Sequence, residues 1–177
     1  FYSGASNARE AYDEASYCIS LIRDYQITYP VAFDWELDGD YDSVTEACET
    51  FCNVISSYGY QPMVYSNRNR WYNNFDGKKI ASKYKVWMAA YFGKFYYDSV
   101  RWTYGDDLPN FRYHYDMWQY SSRCYVDGIS GQVDVDIAFF GYANYHVDTK
   151  DAVLTVTNKE IKRTYGDGIG RLTEELN

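Results

Sequence analysis

Two stretches near the start of the chain repeat apolar residues at the spacing of an amphipathic helix, and each begins with a capping signal. The first begins at Asn7, with Glu10 three residues later, and predicts a helix over residues 7–25. The second begins at Ser43, with Glu46 three residues later, and ends at Gly59. Its apolar stripe consists of Val44, Ala47, Cys48, Phe51, Cys52, Ile55 and Tyr58.

Short apolar runs predict β-strands at residues 31–36, 62–66, 85–91, 116–120 and 133–137. The last run alternates valine and isoleucine with Asp134 and Asp136, which is the period of a strand with one acidic face. A short helix is expected at 68–75, and the irregular, aromatic-rich residues 92–114 are expected to form a long loop. Because strands and helices alternate as far as residue 91, the pattern predicts a parallel α/β architecture whose last strands lack helices.

The first predicted strand ends with two acids, Asp34 and Glu36, on one side and Trp35 on the other. Functional sites of parallel α/β folds lie at the carboxyl ends of strands, where Tyr91 and Gln119 also fall. Paired carboxylates at such a position are what acid/base chemistry on a sugar bond requires, and the acidic face of the last strand supplies more. Two solvated acids at a strand end are the alternative interpretation.

Composition narrows the choice of partner. Aromatic residues make up 20% of the chain, more than a core needs, which suggests exposed rings that stack on sugars or bases. The net charge of −8 would repel a phosphate backbone, so no nucleic-acid partner is expected. Trp102, in the predicted loop, is a candidate for substrate contact, whereas Trp87 and Trp118 lie within predicted strands. The longest apolar stretches have the length of strands, so no transmembrane helix is expected.

The cysteines and histidines do not form a recognisable site. The four cysteines are too few and too scattered for a disulfide framework, so they leave the cellular compartment open: Cys18, Cys48, Cys52 and Cys124. Cys48 and Cys52 lie on the apolar stripe of the second helix and are interpreted as core residues. Neither His114 nor His146 has the spacing of a metal site or a catalytic triad, so no metal or cofactor is expected.

Taken in order, several segments resemble the family-25 glycoside hydrolases, the Chalaropsis-type lysozymes or N-acetylmuramidases. Residues 33–36 (Phe-Asp-Trp-Glu) match the family's Asp-x-Glu, and residues 87–91 (Trp-Met-Ala-Ala-Tyr) match its Trp-Ile-Ala-x-Tyr. The other matching segments are residues 1–2 with the helix that follows, 63–66, 117–122 and 128–136.

The resemblance implies an α/β fold, a modified TIM-type (β/α)5(β)3 barrel, that cleaves the β-1,4 bond between N-acetylmuramic acid and N-acetylglucosamine. It implies Glu36 as the general acid/base and Asp34 as a residue that positions the acetamido group or stabilises charge at the anomeric centre. Asp134 matches the family's late acidic position, while Asp136 stands where the family usually has Asn. The residues expected to bind substrate are Tyr65, Tyr91, Trp102, Trp118, Gln119 and Asp136.

The family's first strand bears a further active-site Asp, and this strand and other β/α units would precede Phe1. The partial hydrolase barrel is therefore expected over residues 1–145, without its first strands and poorly folded or inactive alone. Residues 146–177 are expected to form a linker and the start of an immunoglobulin-like β-rich repeat, with a strand at 153–157 and a turn at 165–167.

The expected function is peptidoglycan hydrolysis by an enzyme outside the cell or at the cell wall, of bacterial or phage origin. The expected partner is the glycan strand of peptidoglycan. Two alternatives stay open: a catalytically inactive module that binds peptidoglycan or chitin with the same cleft, and a barrel hydrolase acting on another β-linked glycan such as chitin.

Overall fold

The computed structural model describes residues 1–98, 100–103 and 105–140, together with two strands at 162–165 and 170–173. Its main unit is a six-stranded sheet in which the strands follow one another in chain order. The strands are Tyr2–Ser3 (β1), Val31–Trp35 (β2), Pro62–Asn67 (β3), Lys85–Ala89 (β4), Met117–Cys124 (β5) and Val133–Ala138 (β6). Strands β1 to β5 are parallel and β6 is antiparallel to β5. The predicted, mostly parallel α/β architecture is thus confirmed, whereas closure into a barrel stays a prediction.

Helices connect the parallel strands. They are Ala8–Ile22 (α1), Tyr41–Ser57 (α2), Arg68–Asn73 (α3), Gly77–Ala81 (α4) and Gly93–Tyr97 (α5). The sequence predicted the first three. Helix α4 was not predicted, and α5 lies inside the segment that was expected to be a long loop, so that expectation was wrong for residues 93–97.

The capping prediction was right for α1 and wrong for α2. Asn7 caps α1, and its side chain accepts a hydrogen bond from the backbone N–H of Glu10 at 3.1 Å. Helix α2 begins earlier than predicted, because Asp40 accepts hydrogen bonds from the N–H and the hydroxyl of Ser43 at 3.0 and 2.8 Å. Asp40 is thus the N-cap, and Ser43 becomes part of the first turn and donates to it. Gly59, with φ of 84°, follows the helix as predicted.

The core lies between the sheet and the two long helices. The buried face of α2 contains the predicted stripe as far as Ile55 and also Thr45, whereas Tyr58, just after the helix, is exposed. Cys48 and Cys52 are buried free thiols inside this core, which confirms their interpretation as core residues. From the sheet, Phe33 packs against Phe51 of α2 with 5.1 Å between ring centroids.

The register of the sheet decides which side chains meet at its carboxyl edge. Asp34 of β2 lies beside Tyr65 of β3, and Gln119 of β5 lies beside Asp136 of β6. Since β6 runs in the opposite direction, Asp134 lies further toward the carboxyl end of β5 than Asp136 does. The fold therefore gathers the predicted acids of the first and last long strands along one edge.

The two remaining strands, Lys162–Tyr165 (β7) and Gly170–Thr173 (β8), form an antiparallel pair with Tyr165 beside Gly170. The strand predicted at 153–157 and most of the turn predicted at 165–167 lie outside the described residues.

Candidate active site

The acid pair predicted from the sequence lies at the carboxyl end of β2. Asp34 is partly buried, and its Oδ1 has no hydrogen-bond partner among the described residues. Burial raises the pKa of Asp34 from 3.8 to about 6; the charge of Glu36 acts in the same direction and the amino group of Phe1 opposes it. Glu36 itself follows the strand and is exposed. The structure therefore brings the two carboxylates together, one sheltered and one open to solvent.

Trp35, between the two acids, points the other way and anchors the strand end. Its ring is buried, and its indole N–H donates a hydrogen bond to the carbonyl of Ala5 at 3.2 Å. Its own carbonyl accepts a hydrogen bond from the buried hydroxyl of Ser66 at 2.8 Å. These two bonds fix the backbone at Trp35, between Asp34 and Glu36.

A buried glutamine ties two tyrosines to this edge. The side-chain oxygen of Gln119 accepts hydrogen bonds from the hydroxyl of Tyr65, at 2.8 Å, and from that of Tyr91. Burial raises the pKa of Tyr65 well above its usual value, and the charges of Tyr91, Glu36 and Asp34 add to the effect. Tyr65 is therefore a neutral hydroxyl held beside the acid pair.

Tyr91 connects the acid pair to the last strand. Burial raises its pKa to about 12, and the charges of Asp134 and Glu36 add to the rise. Asp134 is exposed on β6. We use the name acid cluster for the group that these contacts define: Asp34, Glu36, Tyr65, Tyr91, Gln119 and Asp134. The sequence predicted all six.

Trp87, which was not among the predicted site residues, connects Asp136 to the acid cluster. The indole N–H of Trp87 donates a hydrogen bond to Asp136 Oδ1 at 2.7 Å, and the Trp87 ring packs edge-on against Tyr65 at 4.6 Å. Burial raises the pKa of Asp136 to about 6; the bond from Trp87 opposes this rise and the charge of Asp134 adds to it. The signal for Trp87 in the sequence was its place two residues before the strand end, on the same side as Ala89.

The other two predicted substrate-binding residues pack in the core. Trp118 is fully buried, and its indole N–H donates to the carbonyl of Ala90 at 2.9 Å. Trp102 packs edge-on against Trp118 and against Phe139, with centroids 6.4 and 6.1 Å apart. The structure thus places these rings behind the strand end that carries Tyr91, and their direct contact with a substrate stays a prediction.

Within the described residues, no three side chains of the His, Cys, Asp and Glu types are grouped as ligands for a metal ion. In the same part of the chain, no helix combines the length and the apolar character that crossing a membrane requires.

The chain is similar in sequence to a known protein family and to proteins of Streptococcus phages. The family model described as Glycosyl hydrolases family 25 matches residues 1–129. A lysozyme of Streptococcus phage Cp-1 is 31% identical over 123 residues, which are 64% of this chain and 32% of that protein. A D-alanyl-L-alanine endopeptidase of Streptococcus phage B30 is 29% identical over 128 residues, which are 70% of this chain and 27% of that protein. The chain thus spans about a third or less of the length of these two relatives.

A solved structure shares the fold. The crystal structure of the modular Cpl-1 endolysin, in complex with a peptidoglycan analogue made of a tetrasaccharide and a pentapeptide, is similar with a TM-score of 0.52 and 28% identity. The similar region covers 69% of this chain and 36% of that one.

Proposed function

Since this chain belongs to family 25 of the glycosyl hydrolases, we propose that it hydrolyses peptidoglycan at the β-1,4 bond between N-acetylmuramic acid and N-acetylglucosamine. Its similarity to a phage lysozyme and to an endolysin bound to a peptidoglycan analogue supports this substrate. The observation that carries the proposal is the acid pair itself: a sheltered carboxylate and an open one on a rigid strand end. The same relatives support a bacterial or phage origin and action at the cell wall.

Glu36 is the proposed proton donor to the glycosidic oxygen. Its carboxyl group is exposed just beyond β2, so a glycan lying along the carboxyl edge of the sheet can reach it. Breaking the bond leaves positive charge at the anomeric centre, and a second carboxylate close to that centre stabilises it. Asp34 is the proposed second carboxylate, because it is held on the same side of β2 as Glu36.

The free oxygen of Asp34 gives this residue a second proposed task. A buried acceptor without a partner costs free energy, which a donor from a ligand would recover. The acetamido N–H of the sugar that carries the reacting anomeric carbon is a donor of the right kind. A hydrogen bond from it to Asp34 Oδ1 would fix the orientation of the acetamido group beside the reacting carbon.

Tyr91 and Asp134 are proposed to hold the substrate opposite the acid pair. The ring of Tyr91 is part exposed while its hydroxyl is fixed by Gln119, so it offers the sugar a rigid face. Asp134 is exposed beside it and can accept hydrogen bonds from sugar hydroxyls. Asp136 accepts a hydrogen bond from Trp87 and is proposed to stabilise the position of Asp134 on the same strand.

The reaction can be tested on purified cell walls by following turbidity together with the groups released. Hydrolysis of the proposed bond releases reducing ends, and reduction with borohydride should convert muramic acid residues, rather than glucosamine residues, to their alditols. Free amino groups should not increase; they are measured because one relative is named as an endopeptidase. Release of amino groups without reducing ends would overturn the proposal.

Two matched variants test the role of Glu36. Glu36→Gln removes the proton donor and should lower the rate at least about a hundredfold, the usual contribution of a general acid. Asp38→Asn makes the same chemical change at an exposed acid two residues further along and should keep activity within about twofold. Equal lysis by Glu36→Gln and the wild type would exclude this assignment. Binding of walls by the wild type without any reducing ends would favour the inactive binding module.

A further inference from the structure

A pocket of about 790 Å³ lies beside α3, and no member of the acid cluster lines it. Two arginines, two asparagines and a tyrosine form its walls: Arg68, Asn69, Tyr72, Asn110 and Arg112. We call it the basic pocket. Its volume is in the range of sites for small ligands. Guanidinium groups only donate hydrogen bonds and the asparagine amides donate as well, so the pocket suits a ligand rich in acceptors and negative charge.

Two residues of the basic pocket, Tyr72 and Arg112, are held in place by contacts with their neighbours. The ring of Tyr72 is stacked on Phe111, with centroids 5.5 Å apart and planes 17° from parallel. The guanidinium of Arg112 lies over the Tyr72 ring at 4.5 Å, and the backbone N–H of Arg112 donates to the Tyr72 hydroxyl at 3.0 Å. Arg112 is thus ordered by a cation–π contact and a hydrogen bond before any ligand arrives.

No carboxylate of the described residues neutralises the charges of the basic pocket. Elsewhere in the described residues, carboxylates pair with Arg9, Lys79, Lys83, Lys85 and Lys94. Arg68 and Arg112 form no ion pair with any carboxylate in the part of the chain that the structure describes. In a chain with a net charge of −8, the described part of the structure thus presents two guanidiniums in one pocket without a carboxylate partner.

The basic pocket belongs to the same edge of the sheet as the acid pair. Arg68 directly follows the last residue of β3, the neighbour of β2. Arg70, two residues further along α3, donates from Nε to the carbonyl of Leu37 at 3.1 Å, and Leu37 follows Glu36 in the chain. Helix α3, which contributes Arg68, Asn69 and Tyr72 to the basic pocket, is thus bonded to the residue that follows Glu36.

We propose that the basic pocket binds a carboxylate of the peptide that the glycan strand carries, so that the protein recognises peptide-bearing glycan over bare glycan. The inference rests on the proposed peptidoglycan substrate. Arginine forms paired hydrogen bonds with carboxylates, and the two asparagine amides can bond with peptide groups next to them. The solved relative holds a glycan joined to a pentapeptide, which is a ligand of this chemistry.

The test compares glycan strands that carry their peptides with the same strands after an amidase has removed the peptides. The measured quantity is the ratio of kcat/KM for the two substrates. Arg68→Gln should lower this ratio about fivefold through a higher KM for the peptide-bearing strand, and Arg68→Lys should restore part of it. Arg23→Gln, the same charge change at the exposed end of α1, should keep the wild-type ratio. An unchanged ratio in Arg68→Gln, or an equal loss on both substrates, would contradict the proposal.

A binding measurement separates this proposal from the proposed function. Soluble stem peptide with free carboxylates should bind the wild type, and both Arg68→Gln and amidation of the peptide should weaken binding about fivefold or more. This binding measurement does not depend on hydrolysis. If the wild type cleaved neither glycan, the proposed function would be refuted, and peptide binding would still test the basic pocket. Equal binding of amidated peptide would refute the pocket's assignment. A further control uses cell walls before and after hydrofluoric acid has removed their phosphate polymers. If Arg68→Gln weakens wall binding only before this treatment, the pocket binds phosphate and the proposal is refuted.

Discussion

Replacing Asp34 by asparagine should stabilise the protein while it removes activity. The pKa of this carboxyl is raised from 3.8 to about 6, mainly by burial, so the folded state disfavours its ionised form. Asparagine has the same shape and no charge to bury. The substitution therefore removes an unfavourable term of folding together with the carboxylate proposed to act at the anomeric centre.

The magnitude follows from the size of the pKa change. A rise from 3.8 to about 6 corresponds to about 3 kcal/mol against the ionised form in the folded state. Because Asp34 is only partly buried and solvent screens its charge, we expect about half of that, roughly 1.5 kcal/mol. The cost is absent below pH 3.8, where Asp34 is protonated in both the folded and unfolded states, and grows between pH 3.8 and about 6. Above pH 6 it is complete.

The assay is urea unfolding followed by tryptophan fluorescence at pH 7.5 and at pH 3.5. Asp34→Asn should have a free energy of unfolding about 1.5 kcal/mol above the wild type at pH 7.5 and close to it at pH 3.5. Asp38→Asn, at an exposed acid, should show little change at either pH. An Asp34→Asn variant that is equally stabilised at both values, or less stable than the wild type at pH 7.5, would refute the assignment of a sheltered charge. Its rate of wall lysis should fall about a hundredfold.

Three further substitutions test separate parts of the structure by the same unfolding assay. Gln119→Leu removes the acceptor shared by two tyrosine hydroxyls and should cost about 2–3 kcal/mol, whereas a loss below 1 kcal/mol would mean that water replaces it. Asp136→Asn keeps an acceptor for the indole N–H of Trp87 but removes a carboxyl group whose pKa burial raises to about 6. This substitution should stabilise the protein by about 1 kcal/mol at pH 8 and not at pH 3.5. Gly77→Ala places a methyl group 2.3 Å from the carbonyl oxygen of Trp71 and should cost at least about 2 kcal/mol, while Gly4→Ala, with its nearest neighbour at 3.6 Å, should be nearly neutral.

The acid pair and the strands could be predicted because their signals are local. Alternation of side chains fixes Asp34 and Glu36 on one side of a strand whatever the rest of the chain does. The cap of α2 shows the limit of such signals. Asp40 and Ser43 can both cap a helix. Asp40 is the cap because its own backbone is extended while that of Ser43 is already helical.

Other features depend on contacts that no local pattern contains. Helices α4 and α5 have five residues each, too few for a helical period to be visible. In β5 both faces are buried, so alternation could not show that Trp118 faces the core while Gln119 faces the acid cluster. The bond between Trp87 and Asp136 joins residues 49 positions apart, and it became visible only once the register of β4 to β6 was known.

The acid cluster and the basic pocket together give the carboxyl edge of the sheet an uneven charge. Glu36 and Asp134 repel a carboxylate, whereas the guanidiniums of Arg68 and Arg112 attract one. The bond from Arg70 to the carbonyl of Leu37 links α3, which carries Arg68, to the residue that follows Glu36. Peptidoglycan has a matching division, since its sugar backbone carries far less charge than its peptides. A strand that places its neutral sugars over the acids and its peptide carboxylate over the arginines satisfies both regions, while the opposite placement satisfies neither. Arg68 and Arg112 would thus orient the substrate, so that the bond to be cleaved meets Glu36 from a defined side.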